Sequence, residues 1–209
     1  MPGSTGYRRD VSITAIIPLK PLGRVKQRLA GRYTGDERRA LMARLFGHVA
    51  GVCAATPQVA LVRAVVGDDA GAELARSAGV EVVHEPPGGL DRAVAHATAD
   101  LGDGTSLVVV ADLPRLTVDD LTRVIEAGTH DPVVVVAATR DGGTGALLRR
   151  PTGVIPTAYG TGSAGAHLAA AASAGVRAVL LSSPGLAHDV DRPDDVDRYA
   201  GGVGGPGAG

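Results

Sequence analysis

The chain of 209 residues contains no tryptophan, no asparagine, one phenylalanine and a single cysteine, and each shortage removes a class of function. Cys53 alone can form neither an internal disulfide nor a cysteine-based zinc site, which fits a reducing compartment. With a formal charge of −1 and 2% aromatic residues there is neither a basic face nor a stacking platform, so nucleic acid is not an expected partner. No apolar run approaches the roughly 18 residues of a membrane helix, and residues 1–10 carry no apolar signal core. The expectation is a soluble cytoplasmic protein without a membrane partner. No Gly-x-Ser-x-Gly elbow supports serine nucleophile chemistry. Lysine is scarce as well: the two lysines, Lys20 and Lys26, fall within seven residues of each other in a chain with 19 arginines, which draws attention to that stretch.

Apolar residues at 44% and charged residues at 21% fit an ordinary globular chain and exclude wholesale disorder. Residues 1–11 and 201–209 are polar or Gly-rich and read as flexible ends around a single domain over 12–200. Apolar runs at 13–17, 59–66, 80–83, 107–111, 133–138 and 178–181 read as strands. The most continuous do not alternate with polar residues, the mark of strands covered on both faces. Between them, Thr34 to Glu37 and Thr117 to Asp120 fit a capping pattern. Leu41, Leu45, Val49 and Val52 recur at helical spacing, predicting a helix over 36–54. Further helices are predicted near 69–78, 89–100, 118–128, 163–174 and 193–199, with 139–160 irregular. The order predicts a three-layer, doubly wound α/β domain with a mainly parallel sheet.

In such sheets ligands bind beyond the carboxyl ends of the strands, so the residues after each strand are the candidates. Lys20, Lys26 and Arg28 follow the first strand and suit a polyphosphate, although a solvated basic loop is the plain alternative. The glycines of a P-loop or a dinucleotide fingerprint are missing there. Asp112 ends the fourth strand and suits a hard divalent cation, since Thr117 already serves as cap for the next helix. Gly142, Gly143 and Thr144 offer amides and a hydroxyl to an anion, or form a plain turn. Gly160, Thr161, Gly162 and Ser163 precede a helix, where Ser163 is an anion donor, a cap, or both. Asp189 and Asp191 point to one side if extended and form a second acidic station. His167, four residues after Ser163, either lines the site or packs. Cys53 reads as an inert core thiol.

Five strings in order, IIPLKPLGRVKQRL, ADLPRLT, DGGTGALL, YGTGSAGAH and DVDRPDD, resemble the 2-phospho-L-lactate/phosphoenolpyruvate guanylyltransferases of coenzyme F-420 biosynthesis. The resemblance spans roughly residues 13–199. It implies a Rossmann-like nucleotidyltransferase fold and Mg2+-dependent transfer of GMP from GTP to a three-carbon phospho-acid, with release of pyrophosphate. By the same resemblance Lys20, Lys26 and Arg28 take the nucleotide phosphates, with Lys20, Lys26 and Asp112 as the catalytic set. Asp112 with Asp189 or Asp191 holds the metal, and Thr144, Gly160 and Ser163 hold the acceptor. Asp68 and Gly89 are candidates for the guanine pocket. The chain departs from the family pattern at Gly145 and Asp91, where asparagine is usual. Transfer to 3-phosphoglycerate or a molybdopterin-type acceptor, and a non-catalytic nucleotide-binding subunit, are the competing expectations. No pattern specifies an oligomeric state.

Overall fold

A computed structural model describes residues 12–201. The expected flexible ends at 1–11 and 201–209 lie outside the described residues, except for Gly201, which is helical. Among the described residues seven strands form one sheet: β1 (Ile13–Leu19), β2 (Val59–Val66), β3 (Glu81–His84), β4 (Thr105–Val109), β5 (Val133–Ala138), β6 (Thr144–Arg150) and β7 (Arg177–Leu181). Their spatial order is β3-β2-β1-β4-β6-β5-β7. Pairing is parallel except for β6, which runs antiparallel to β4 and β5. The predicted doubly wound α/β sheet is therefore present. One expectation is corrected: 139–160 is not irregular throughout, because 144–150 forms β6, an inner strand of the sheet. Tight turns suit Asp-Gly, and Asp141-Gly142 turns β5 back on itself.

Among the described residues six α-helices cover the sheet: α1 (Gly35–Ala55), α2 (Asp69–Ser77), α3 (Leu90–Ala97), α4 (Val118–Ala127), α5 (Ser163–Ser173) and α6 (Pro193–Gly201). One core lies between the sheet and α1, α2, α4 and the edge of α6. It includes Ile13, Ile17, Leu45, Phe46, Val49, Cys53, Leu121 and Val190. The other lies against α3 and α5, around Ile16, Val65, Val94, Val108, Leu147 and Ala171. Strands packed on both faces need unbroken apolar runs, as the sequence shows. Cys53 is buried, and burial pushes its thiol up to about 12, consistent with a packing residue. No described helix is long and apolar enough to cross a membrane.

Both capping boxes form. Thr34 and Glu37 exchange backbone and side-chain bonds at the start of α1. Thr117 and Asp120 do so at the start of α4, and the buried Asp120 also accepts from the Ser183 hydroxyl. That bond anchors the start of the segment joining β7 to α6. The strand order reverses between β1 and β4, since β1 leads by way of α1 to one side and β4 lies on the other. The reversal opens a crevice at their carboxyl ends.

Candidate active site

A cleft of about 610 Å³ occupies that crevice, lined among others by Lys20, Lys26, Arg28, Asp112, Thr144 and Ser163, with Asp189 and Asp191 on its acidic rim. Lys20 follows β1 directly and is exposed. The chain then makes two short 3-10 turns, Leu22–Arg24 and Gln27–Leu29. Between them Lys26 takes a left-handed conformation with φ 51°, alone among the described non-glycine residues. Such a conformation is disfavoured for a residue with a Cβ and persists only where surrounding contacts hold it. Here the Lys26 carbonyl accepts from the Leu29 amide at 2.9 Å, and Lys26 Nζ makes an ion pair with the Asp112 carboxylate, the lysine side chain being 6% exposed. Arg28 makes a second ion pair, to Asp191, between exposed and half-exposed partners.

Asp112 lies three residues beyond β4, and its carbonyl accepts from the Val190 amide at 3.1 Å. This bond brings the late loop, and with it Asp189, beside Asp112. Asp189 is half-buried. Burial first, and the Asp112 charge second, push its carboxyl above the usual carboxylate range. Two like charges sharing a partly desolvated site repel, and a divalent cation relieves that repulsion. Among the described residues no group of three or more His, Cys, Asp or Glu side chains gathers closely enough to hold a metal by itself. Mg2+ does not need one: one or two carboxylates, with water and substrate phosphate completing the shell, form its ordinary donor set. Asp189, with no ion pair among the described residues, fits that requirement better than Asp191, whose carboxylate is engaged by Arg28, while Asp112 would share its carboxylate between Lys26 and the metal.

Across the cleft, Thr144 begins β6 and Ser163 begins α5. Their hydroxyls lie 2.9 Å apart. Ser163 is the first residue of α5, and the cap position belongs to Gly162, in a left-handed conformation. The Ser163 and Ala164 amides are bonded to the carbonyls of Gly160 and Gly142. An anion at this helix start therefore meets side-chain hydroxyls rather than those two amides. Gly160 lines the cleft beside them with φ 144°. The Gly142 and Gly143 amides are likewise spent inside their own turn, on the Thr139 carbonyl and the Asp141 carboxylate. The anion cradle expected of the paired glycines is thus a plain turn. Asp141, which the sequence did not single out, lines the cleft; the Thr139 hydroxyl and the Gly143 amide hold its carboxyl below the usual range.

Two candidates for a guanine pocket receive different positions. Asp68 is corrected: it caps α2 through the Gly71 amide at 2.8 Å and holds the Leu22 amide at 2.7 Å, so both oxygens serve the backbone. Gly89 opens α3 with φ 83°, next to Leu90 in the cleft wall. Asp91 does not add charge to the open cleft; it accepts from the Tyr159 amide at 2.9 Å and ties α3 to the segment before α5.

Gly145 is explained by close approach. A Cβ there would meet the Leu186 carbonyl oxygen at 2.5 Å, a distance that side chains do not tolerate. The late loop carrying Asp189 packs where a side chain would stand. Placing there the asparagine usual in the family the sequence resembles, Gly145→Asn, should therefore cost about 1–3 kcal/mol through overpacking and shift the acidic loop. Thermal unfolding alongside a turnover assay checks this; a variant at least as stable and as active as the wild type refutes it.

The architecture defines the fold class. It superimposes on a 4-diphosphocytidyl-2C-methyl-D-erythritol synthase from Anaerococcus prevotii with TM-score 0.62, at 9% identity, covering 93% of this chain and 96% of that one. It also superimposes on CMP:2-keto-3-deoxy-manno-octonic acid synthetase complexed with CTP, with TM-score 0.61 at 13% identity, over 90% and 97% of the two chains. Sequence narrows the class. The family model described as "Guanylyl transferase CofC like" matches residues 13–199, and the chain belongs to this family. The phosphoenolpyruvate guanylyltransferase of Sphaerobacter thermophilus is 34% identical over 190 residues, covering 90% of this chain and 92% of the relative. The protein of the same name from Streptomyces avermitilis is 36% identical over 189 residues, covering 88% and 86%.

Proposed function

We propose that this protein transfers a guanylyl group from GTP to the phosphate of phosphoenolpyruvate, in the cytoplasm, as a step of coenzyme F-420 biosynthesis. The observation that carries the reading is the cleft, with Lys26 and the Asp112–Asp189 pair on one rim and the Thr144–Ser163 hydroxyls on the other. A phosphate oxygen of the acceptor attacks the α-phosphorus of GTP, the bond from that phosphorus to the bridging oxygen breaks, and pyrophosphate leaves with the electron pair. The acceptor phosphate has its second pKa near about 6 and is largely ionised at neutral pH, so no general base is required. The chain's work is positioning and charge neutralisation. Lys20, Lys26 and Arg28 take the nucleotide phosphates, and Lys26 neutralises charge on the departing pyrophosphate. Thr144, Gly160 and Ser163 seat the acceptor. Asp112 and Asp189 would hold Mg2+, which when bound would supply Lewis-acid neutralisation of the phosphates.

Pyrophosphate release tests the proposal, with GTP, CTP or ATP supplied against phosphoenolpyruvate, 2-phospho-L-lactate or 3-phosphoglycerate in Mg2+. Release with GTP and phosphoenolpyruvate, removed by a chelator, is the expected result. Preference for CTP, or silence with every acceptor from folded protein, refutes it.

A further inference from the structure

Behind the two acceptor hydroxyls lies a histidine whose bonds admit one arrangement. His167 is fully buried on α5, one turn beyond Ser163. The Ala158 amide donates to its Nε2 at 2.9 Å. A backbone N–H can only donate, so Nε2 is bare, and the neutral ring carries its proton on Nδ1. Nδ1 stands 3.1 Å from Thr144 Oγ1, which must accept that proton. The Thr144 hydroxyl then has its own proton left, with Ser163 Oγ at 2.9 Å to receive it. With its lone pair so engaged, Ser163 keeps a free O–H at the cleft wall.

We propose that His167 is a positioning residue: locked in one tautomer by the Ala158 amide, it orients Thr144 so that the Ser163 O–H is left to donate to an anionic oxygen of the acceptor. The inference rests on the reading that Ser163 and Thr144 seat the acceptor. It deepens that reading by making the serine a committed donor instead of a free rotor. The surroundings keep the ring neutral. Burial lowers its pKa below the ordinary value of 6.5, with Arg149 from β6 acting in the same direction and Asp91 from α3 opposing. The uncharged Tyr159 ring meets it edge-on at 5.1 Å. Protonation would place a second N–H against the Ala158 amide and break the chain.

The test uses two substitutions that each keep one half of the ring's bonding. His167→Asn retains a donor where Nδ1 stood and loses the acceptor for Ala158; His167→Gln does the reverse. A packing role treats the two alike, whereas the relay separates them. The acceptor KM should rise about ten- to a hundredfold in His167→Gln, the loss of one hydrogen bond to a charged group, and stay close to wild type in His167→Asn. The GTP KM should be unchanged in both. Ser163→Ala should raise the acceptor KM by itself and make His167→Gln cause no further rise. The acceptor KM of the wild type should also climb as pH falls through the lowered histidine pKa, beyond what the acceptor's own phosphate titration gives, and Ser163→Ala should lack that excess. An unchanged acceptor KM in Ser163→Ala overturns the acceptor-site reading itself. A raised KM in Ser163→Ala with equal effects in the two His167 variants overturns the relay alone. If the His167 variants do not fold, identical acid limbs in wild type and Ser163→Ala overturn it.

Discussion

Asp112→Asn should lower kcat/KM for guanylyl transfer by about 10²- to 10³-fold, the scale of losing one preorganised electrostatic contact to a transition state. The fold should persist, and the reason is geometric. The late loop is tethered through the Asp112 backbone carbonyl, which accepts from Val190, and that bond survives a change of side chain. Asparagine keeps the shape and removes the charge, and with it the ion pair to Lys26, for which the amide oxygen remains as a neutral acceptor. Asp189 then stands as the sole carboxylate of the pair, and loss of the neighbouring charge lets its carboxyl fall back toward its ordinary range, although burial still holds it up. The site loses half of its anionic donor set while keeping its architecture. Two measurements should therefore agree: turnover that excess Mg2+ does not restore, and an unfolding temperature that Mg2+ raises in the wild type but not in the variant. Turnover within fivefold of wild type in Asp112→Asn would remove this carboxylate from the reaction.

Asp112 and Asp68 show what a linear reading can separate. Both are acids just after a strand and before a helix. At Asp112 the next helix already has its cap in Thr117, so the carboxylate has no local duty. At Asp68 no other residue caps α2, and the acid is consumed by the Gly71 and Leu22 amides. The Leu22 bond spans 46 positions and has no sequence signature. The helices and the strands covered on both faces were legible because their apolar spacing is local. β6 was not: glycines at its start and Arg149 and Arg150 at its end disguise a strand whose burial comes from long-range pairing with β4 and β5. Its only local signal was the Asp-Gly turn before it. His167 was within reach as the residue one turn beyond Ser163, but its bond to the Ala158 amide depends on how the segment after β6 folds back.

Lys26→Met should move two observables in opposite directions. Lys26 Nζ is paired with the Asp112 carboxylate, and the lysine side chain is almost wholly shielded. A fixed cation at that place neutralises part of the charge that would otherwise attract a metal ion. Methionine keeps much of the apolar stem and removes the ammonium, so Mg2+ binding in the absence of nucleotide should tighten as competition for Asp112 ends. Turnover should instead fall by about 10²-fold, because the pyrophosphate leaves without its lysine. The backbone does not confuse the comparison. The left-handed conformation at φ 51° costs methionine as much as lysine, whereas glycine would relieve the strain and add a second change. Lysine is also harder to replace by arginine than charge alone suggests: a compact ammonium fits a shielded point contact, and a planar guanidinium demands a fork of acceptors. Titration calorimetry with Mg2+ on nucleotide-free protein, set beside pyrophosphate release, reads both effects. Tighter metal binding with undiminished turnover would make Lys26 only a counter-ion to Asp112. Unchanged metal binding with lost turnover would make its contact with Asp112 incidental to a role on the nucleotide.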